Sequence, residues 1–363
     1  MPLLVDADDV SHFFSLGDLD GLHWALSETF ALGHRVLGGE GGRAVPPSVV
    51  ARGGGSSYSA AYKLRMDKEA ALHIARVSED EGVRRLFREE VAPALGRALE
   101  RVPRVEELGG TGGLYSFKGE DYADGIGEFY NRALVNPEVD ELRVGPGIEG
   151  LAALSPDLDA EGIQRRWEES ERKVIVVDDL LSKEALSAVR GILLNSTLFY
   201  ETKMPAKFGE YSGAYIDDGL HQRLVLAIAF ELAHKLPRVF ESHPLRYLWA
   251  YKYGSERGTG INLHADQAAI NVNIWLAPDE ANLDPESGGL VVFTARPPKG
   301  SDFSSYNTDV GRLKEELLRP TGFENVTVPH RCNRAVIVRD RGGRVIRVRW
   351  SWGWREHWGW RVR

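Results

Sequence analysis

YKYGSERGTGINLHADQAAINVNIWLAP, residues 251–278, is the stretch of the chain that decides its fold. At its centre lies His264-Ala265-Asp266. Because residues two apart on a strand point to the same side, an imidazole and a carboxylate at this spacing would converge on one point. One His and one Asp are two of the three ligands in the 2-His-1-carboxylate sites that hold non-haem Fe(II). The stretch therefore predicts a metal site, although a lone H-x-D is also common as a surface or turn pair.

Polar and aromatic residues alternate with apolar ones along the predicted strands on either side of this centre. They are Trp249, Tyr251 and Tyr253 before it and Asn271, Asn273 and Trp275 after it. Three successive strands would thus bring aromatic, metal-ligating and amide groups towards one lumen. The simpler interpretations are that Tyr251 is an aromatic of the barrel core and that Asn273 makes a cross-strand amide hydrogen bond.

The composition is that of an ordinary globular protein and excludes several classes of function. The chain has 363 residues, which is long for one compact domain and suggests two. A net charge of −8 argues against a nucleic-acid binder, which needs a basic surface. Cys332 is the single cysteine, so no internal disulfide can form. With neither a signal peptide nor an apolar run long enough to cross a bilayer, we expect a cytoplasmic protein without a membrane partner.

Hydrophobic periodicity predicts an α+β chain whose second half is an antiparallel barrel or a double-sheet jelly roll. The predicted regions are a mainly helical part at 1–150, a barrel domain at 151–338 and an atypical tail at 339–363. Helices are expected at 18–37, 63–108 with interruptions at Gly82 and Pro93, 129–135, 163–171, 183–194 after a cap at Ser182, 220–236 and 313–318. Strands are expected at 173–179, 211–216, 245–253, 269–276, 290–293, 326–328 and 335–338.

Four segments of the second half resemble the 2-oxoglutarate- and Fe(II)-dependent oxygenase superfamily, and its prolyl-hydroxylase-like branch most of all. They are VIVVDDLLSKEAL, Tyr-x-x-Gly ahead of His-x-Asp, INVNIWLAPDEANLDPESGGLVVF and VPHRCNRAVI, and together they span about 173–338. The resemblance implies a double-stranded β-helix, a cupin-like jelly-roll barrel with flanking helices. The implied reaction is oxidative decarboxylation of 2-oxoglutarate to succinate, coupled to hydroxylation of a small molecule or a protein side chain.

The resemblance also assigns roles to four residues. His264 and Asp266 would be catalytic iron ligands, Tyr251 would hydrogen-bond the co-substrate, and Asn273 would contact 2-oxoglutarate or the substrate. The implied cofactors are Fe(II) and 2-oxoglutarate, with ascorbate as an auxiliary reductant. The substrate is not specified, because specificity in such folds lies in loops, here those at 201–211 and 278–289.

The chain departs from the family pattern after Val338. The family's second metal-binding His and the Arg or Lys that pairs with 2-oxoglutarate are not recognisable there. His330 precedes the last matching strand and is best interpreted as a polar residue at a turn or strand end. His357 lies far past the expected place. With two ligands only, we expect weak Fe(II) binding and little or no activity.

The tail at 339–363 has an unusual composition, with eight Arg and five of the nine Trp of the chain. One hypothesis is that the reading frame slips near Val338. A second is that the tail is genuine and that RVIRVRWSW forms a last barrel strand, with Arg347, Arg349 and Arg355 as candidate carboxylate partners. A third is a basic aromatic arm for nucleic acid or membrane, which the negative net charge disfavours.

Three functions thus remain open from the sequence. The first is the hydroxylase that the resemblance implies. The second is a catalytically silent jelly-roll binding module, and the third is a cupin-like binder of another divalent metal. The helical part at 1–150 could cover the barrel, present a partner surface or dimerise, and the sequence does not predict the oligomeric state.

Overall fold

The computed structural model describes residues 5–38, 57–103, 105–171, 174–240, 242–253, 263–266, 268–282, 289–293, 295, 310–339, 345–348 and 360–362. Within these ranges helices dominate the first half, and two larger antiparallel sheets form most of the second half. The α+β class expected from the sequence is therefore what the structure shows.

The first half has helices in the two predicted regions 18–37 and 63–108, and it has three shorter helices that the sequence did not predict, at 7–15, 119–123 and 126–129. In chain order, the helices are α1 (Ala7–Ser15), α2 (Leu19–Gly38), α3 (Ala61–Val77), α4 (Glu81–Leu86), α5 (Ala92–Arg101), α6 (Gly119–Ala123) and α7 (Ile126–Phe129). A π-helical turn, Phe87–Val91, joins α4 to α5. Two two-residue strands, β1 (Tyr58–Ser59) and β2 (Tyr115–Ser116), pair antiparallel beside them.

The predicted helix at 129–135 is wrong. Helix α7 ends at Phe129, and the chain then turns through Asn131, whose φ of 52° lies in the left-handed region. A right-handed helix cannot continue through that conformation, and Asn tolerates it better than most residues. The apolar residues that suggested a helix, Leu134 and Val135, instead pack against the core formed by α3 to α7.

The predicted interruption at Gly82 is misplaced, whereas the one at Pro93 coincides with a change of helix type. The break lies at 78–80, and Asp80 then caps α4 by accepting a hydrogen bond from the Val83 N–H at 3.0 Å. Pro93 closely follows the π-helical turn Phe87–Val91 in a backbone that stays helical, so the wider turn lies where a proline disturbs a regular α-helix. Gly82 therefore lies inside α4, and the regular α-helical pattern is interrupted just before Pro93.

The helices of the second half support the sheets. They are α8 (Ala160–Glu169), α9 (Lys183–Leu194), α10 (Pro205–Phe208), α11 (Arg223–Lys235), α12 (Pro237–Phe240) and α13 (Val310–Leu313). Helix α9 has the predicted bounds, and the Ser182 hydroxyl caps it by accepting the Ala185 N–H at 3.2 Å. Pro237, expected only to end the preceding helix, also begins α12.

Eleven further strands follow in the described residues. They are β3 (Val174–Val177), β4 (Glu201–Thr202), β5 (Tyr211–Tyr215), β6 (Trp249–Tyr253), β7 (His264–Asp266), β8 (Ile270–Trp275), β9 (Gly289–Phe293), β10 (Asn325–Pro329), β11 (Ala335–Arg339), β12 (Val345–Val348) and β13 (Trp360–Val362). The large sheet has the order β3-β11-β8-β13-β6-β5-β4, and the small sheet has the order β10-β9-β12-β7. Each pair of neighbouring strands runs antiparallel.

The two faces of the large sheet pack differently, and β8 shows this most clearly. Ile274 belongs to the main core beneath the helices, whereas its neighbour Trp275 packs with Leu290 and Val292 of the small sheet. This agrees with the alternation predicted for β8. The face that carries Trp275, here called the inner face, is therefore turned towards the small sheet.

Helices α1 and α2 share the main core rather than the core of α3 to α7. Leu22 and Leu26 of α2 are fully buried there, and each such leucine contributes about 1.5–3 kcal/mol through burial. The boundary expected near 145–155 remains a prediction. None of the described helices is both long enough and apolar enough to cross a membrane.

Candidate functional site

His264 and Asp266 are the two ends of β7, which forms one edge of the small sheet. The predicted strand is confirmed, but the side chains of both residues lie outside the described part of the structure. Strand β12 pairs with β7 and sets Arg347 opposite His264 and Val345 opposite Asp266. Neither Arg nor Val is a metal-ligand type. The nearest cross-strand positions therefore supply no third protein ligand.

Two histidines follow the motif in the sequence, His330 and His357. His357 lies outside the described residues. His330 directly follows β10, with its ring 5.7 Å from that of Trp275 and its Nδ1 3.9 Å from Asp279 Oδ1. Trp275 ends β8, whereas Asp266 leads into the other end of that strand. His330 is therefore a strand-end residue of β10, and it lies beside the end of β8 that is remote from Asp266.

A metal site of other composition was also sought. Among the side chains that the structure describes, which leave out those of His264 and Asp266, no group of three or more His, Cys, Asp or Glu could hold a metal ion. This result does not cover the candidate metal centre at β7, because the side chains of His264 and Asp266 are not among those described.

Tyr251 lies in an aromatic cluster on the inner face of the large sheet. We use that name for Tyr211, Tyr215, Trp249, Tyr251 and Tyr253 of β5 and β6. Tyr251 is buried, and its ring meets that of Tyr211 edge-on with centroids 5.0 Å apart. Edge-on aromatic pairs of this kind stabilise a core beyond their burial. The ring of Tyr251 is thus part of the aromatic core of this face.

The hydroxyl of Tyr251 is held by a neighbour that the sequence did not single out. Tyr215 shares a hydrogen bond with Tyr251 and also donates to the carboxylate of Glu201. Glu201 is buried and forms an ion pair with Lys203. Burial, with Tyr251 and Glu201 nearby, raises the pKa of Tyr215 well above its ordinary value. Tyr215 is therefore a neutral phenol that keeps its proton.

Asn273 is fully buried and lies opposite Val336 of β11. It lies two residues before Trp275 on β8, so both belong to the inner face. The register also sets Arg361 of β13 opposite both Tyr251 and Trp275. Tyr251 and Asn273 are thus brought to one face of one sheet, as the sequence predicted, with a single strand between β6 and β8.

Two indole N–H groups add unused donors to this region. The Nε1 atoms of Trp249 and Trp275 are buried and have no hydrogen-bond acceptor among the described residues. A buried donor left without an acceptor costs about 1–3 kcal/mol. Donors of this kind suit a ligand with acceptor oxygens, such as a dicarboxylate.

Comparison with known proteins gives weak matches of a consistent kind. No family model and no curated protein matches the sequence. A solved prolyl hydroxylase from Trichoplax adhaerens, in complex with a hypoxia inducible factor oxygen degradation domain peptide fragment, is 11% identical, with 56% of this chain and 87% of that chain covered and a TM-score of 0.36. SnoK, a non-heme alpha ketoglutarate dependent carbocyclase from nogalamycin biosynthesis, is 12% identical, with 58% and 84% covered and a TM-score of 0.36.

A third solved structure is SnoN, a non-heme alpha ketoglutarate dependent epimerase from the same biosynthesis. It is 12% identical, covers 56% of this chain and 81% of its own, and has a TM-score of 0.36. Because all three TM-scores are below 0.5, the likeness by itself carries no conclusion about activity.

Proposed function

We propose that this chain is an Fe(II)- and 2-oxoglutarate-dependent oxygenase of the hydroxylase type, built on a double-stranded β-helix. The eight consecutive strands from β6 to β13 alternate between the two sheets, except that β9 and β10 are both in the small sheet. The large sheet holds β6, β8, β11 and β13, and the small sheet holds β7, β9, β10 and β12. This alternation supports a double-sheet jelly roll. The observation that carries the proposal is that the His-x-Asp motif occupies the second strand of this unit, at the edge of the small sheet.

On this proposal His264 and Asp266 hold the iron. When bound, the metal supplies redox chemistry and open positions for oxygen and co-substrate, while the protein fixes the geometry and excludes water. The available donor set fits in part, because the described residues offer one imidazole and one carboxylate and no second His in register with them. We therefore expect Fe(II) to bind weakly and to depend on the co-substrate for part of its coordination.

The inner face of the large sheet would hold 2-oxoglutarate. Tyr251 would turn its hydroxyl proton from the Tyr215 oxygen to a carboxylate oxygen of the ligand, and the indole N–H of Trp249, on the same strand, is a further donor. Tyr215, fixed by Glu201, orients the Tyr251 hydroxyl. The surrounding aromatic rings exclude water and so strengthen each of these hydrogen bonds.

The cation for the far carboxylate is proposed to come from the tail. Arg361 is the residue that the register sets opposite Tyr251, and it joins Arg347, Arg349 and Arg355 as candidates. An Arg guanidinium can donate two parallel hydrogen bonds to one carboxylate. We also propose that the chain belongs to the prolyl-hydroxylase-like branch. Its proposed substrate is a small molecule or a protein side chain.

A second candidate function is a silent jelly-roll binding module. It is favoured by the register of β12, which sets Arg347 and Val345, and no ligand type, opposite the His-x-Asp motif. In that case the inner face would still bind a carboxylate ligand, but no turnover would follow.

The test is succinate formation by the full chain with Fe(II), 2-oxoglutarate and ascorbate in air. We expect slow turnover without added substrate, abolished by His264→Ala and retained by His234→Ala, which removes an exposed histidine of α11. Turnover equal in both variants would reject the assignment of His264. Absence of turnover together with 2-oxoglutarate binding would favour the silent module.

A further inference from the structure

The hairpin of β4 and β5, at one edge of the large sheet, is held from outside the sheet by a phenol of α3. Tyr62, near the start of that helix, is 2% exposed and packs with Ala60 and Met66. Its hydroxyl accepts the Lys203 N–H at 2.7 Å and lies 2.9 Å from the carbonyl oxygens of Lys203 and Tyr211, which share its proton. Because Lys203 follows β4 and Tyr211 begins β5, one hydroxyl ties together both ends of the connection between these strands.

The Tyr62 hydroxyl keeps its proton. Burial raises the pKa of Tyr62 well above its ordinary value, although the hydrogen bond with Lys203 opposes this rise. The phenol is therefore neutral and can donate and accept at the same time. A buried polar network whose members are all satisfied rigidifies the segments that it joins.

A second tyrosine binds the same region of the chain to β4. Tyr130 directly follows α7 and is 1% exposed. Its hydroxyl donates to Ser59 Oγ at 2.9 Å and lies 2.8 Å from Thr202 Oγ1. Since Thr202 is the last residue of β4, this contact lies next to the one that Tyr62 makes with the following residue.

A close backbone contact completes the attachment. The carbonyl oxygen of Gly112 accepts the Ala206 N–H at 3.2 Å. The φ of Gly112 is 64°, and a Cβ at this position would lie only 2.5 Å from Met204 Sδ. Only glycine allows so close an approach in this conformation. Tyr62, Gly112 and Tyr130, here called the clamp, thus hold β4 and the segment after it.

The clamped hairpin carries the acid that fixes the proposed co-substrate tyrosine. Glu201 is the first residue of β4 and pairs with Gly213 of β5. Its carboxylate forms an ion pair with Lys203 and accepts the Tyr215 hydroxyl, and Tyr215 shares a hydrogen bond with Tyr251. A shift of β4 would move Glu201 and, through Tyr215, the hydroxyl of Tyr251.

We propose that the clamp positions the co-substrate site, with Tyr62 as the positioning residue that acts on Tyr251 through the hairpin of β4 and β5. The clamp keeps Glu201 in place, Glu201 keeps Tyr215 in place, and Tyr251 then presents its hydroxyl in one position. The choice of 2-oxoglutarate as the ligand rests on the proposed function, whereas the clamp rests on the contacts described above. This assigns a role to α3 and to the segments at Gly112 and Tyr130: they contribute no group to the ligand and act at a distance.

The first test is Tyr62→Phe, which removes the hydroxyl and keeps the ring. We expect the Kd of the full chain for 2-oxoglutarate, with Mn(II) in place of Fe(II), to rise by about three- to tenfold, because a loosened Glu201 and Tyr215 must be ordered again on binding. The matched control is Tyr115→Phe, which removes another buried phenol hydroxyl, bound to Asp121 Oδ2 at 2.8 Å and without contact to the hairpin. It should lower the free energy of unfolding and leave the Kd unchanged. A Kd unchanged in Tyr62→Phe, or raised equally in both variants, would overturn the proposal.

Hydrogen exchange separates the clamp from the ligand. Amides of the hairpin, 201–215, should exchange faster in Tyr62→Phe than in wild type or Tyr115→Phe, because its two ends are no longer tied. Equal exchange in all three chains would show that no clamp exists. A wild-type chain that binds no 2-oxoglutarate would overturn the proposed function and the positioning role together, while faster exchange in Tyr62→Phe would still support the clamp. Should Tyr62→Phe not fold, Tyr130→Phe, which loses the contact with Thr202, takes its place under the same expectations.

Discussion

Tyr251 is fixed from two directions. Its ring packs edge-on against Tyr211, and its hydroxyl meets Tyr215, which is tied to the buried carboxylate of Glu201. The oxygen of this hydroxyl has a fixed position, and only its O–H has to rotate away from Tyr215 to meet a carboxylate ligand. The proposed co-substrate site therefore consists of a few residues of the inner face. Small substitutions can separate the contribution of each residue to 2-oxoglutarate binding.

Tyr251→Phe should keep the ring and lose the hydrogen bond. We expect the Kd for 2-oxoglutarate to rise by about tenfold, because the loss of one buried hydrogen bond to a charged group weakens binding by about that factor. Isothermal titration under anaerobic conditions measures it. Tyr247→Phe is the control, because Tyr247 is 55% exposed. Equal affinities for the two variants would remove Tyr251 from the site.

Glu141 gives a prediction for pH. It accepts hydrogen bonds from Arg223 Nε at 2.5 Å and from Arg143 Nε at 2.8 Å. Hydrogen bonds from Arg223 and then Arg143 lower the pKa of Glu141 to about 2, against the opposing effect of burial. Because the folded-state pKa is below the unfolded one, this stabilisation is present above about pH 4.5 and is lost as the pH falls towards 2.

Glu141→Gln should therefore lower the free energy of unfolding by about 1–3 kcal/mol at pH 7. The difference from wild type should shrink as the pH falls below about 4.5. Urea unfolding across this pH range measures both quantities, with the exposed Glu149→Gln as control. A difference that does not change with pH would show that the ion pair is not its cause.

At the scale of elements, short-range patterns were predictable and long-range pairings were not. The bounds of α9 and the two faces of β8 follow from neighbours in the sequence, a cap at Ser182 in one case and a period of two in the other. The end of α7 depends on a positive φ at Asn131, which residue types do not specify. The burial of Lys252 was unexpected, because only the packing of α3 behind β6 removes it from water.

The site was predictable to a similar degree. Local alternation sufficed to predict Tyr251 and Asn273 on one face, since β6 and β8 are both strands of the large sheet. Glu201 and Tyr215 were missed, although Tyr211 and Tyr215 have the same period of two as Trp249, Tyr251 and Tyr253. Their role depends on the pairing of β5 with β6, which a single sequence does not reveal.

Helix α11 is joined to the preceding chain by a buried acid. Glu231 is fully buried, and its Oε2 accepts the N–H groups of Ala153 and Leu154 at 2.7 and 3.0 Å. Glu231→Ala leaves both donors without an acceptor, and we expect a loss of about 2–4 kcal/mol in the free energy of unfolding. Glu316→Ala, which breaks an exposed pair with Arg312, should cost less than about 1 kcal/mol. Equal losses in urea unfolding would contradict the role of Glu231.

For the whole molecule, the tail decides whether the two sheets are complete. Strand β12 lies between β7 and β9, and β13 lies between β6 and β8. Neither is an edge strand, so removing them would leave β7 without a described partner and would separate β6 from β8. The tail is therefore expected to be part of the folded barrel, and the frame-slip hypothesis remains to be tested by resequencing the gene.

A chain ending at Arg339 should expose four new strand edges. We expect it to unfold at a lower temperature and to lose amide-exchange protection in β6 and β8, because unpaired edges are open to water and to aggregation. Hydrogen exchange of the full and shortened chains measures this. Equal protection of β6 and β8 in both would show that the tail strands do not hold the sheet together.

The central claim is that His264 and Asp266 coordinate one divalent metal ion. Its most direct measurement is an electron paramagnetic resonance titration with Mn(II), an ion that replaces Fe(II) without reacting with oxygen. The account predicts one bound Mn(II) per wild-type chain, a changed spectrum on adding 2-oxoglutarate, and no binding by His264→Ala or Asp266→Ala. Binding that survives both substitutions, or a wild-type chain that takes up no Mn(II) even with 2-oxoglutarate, would contradict it.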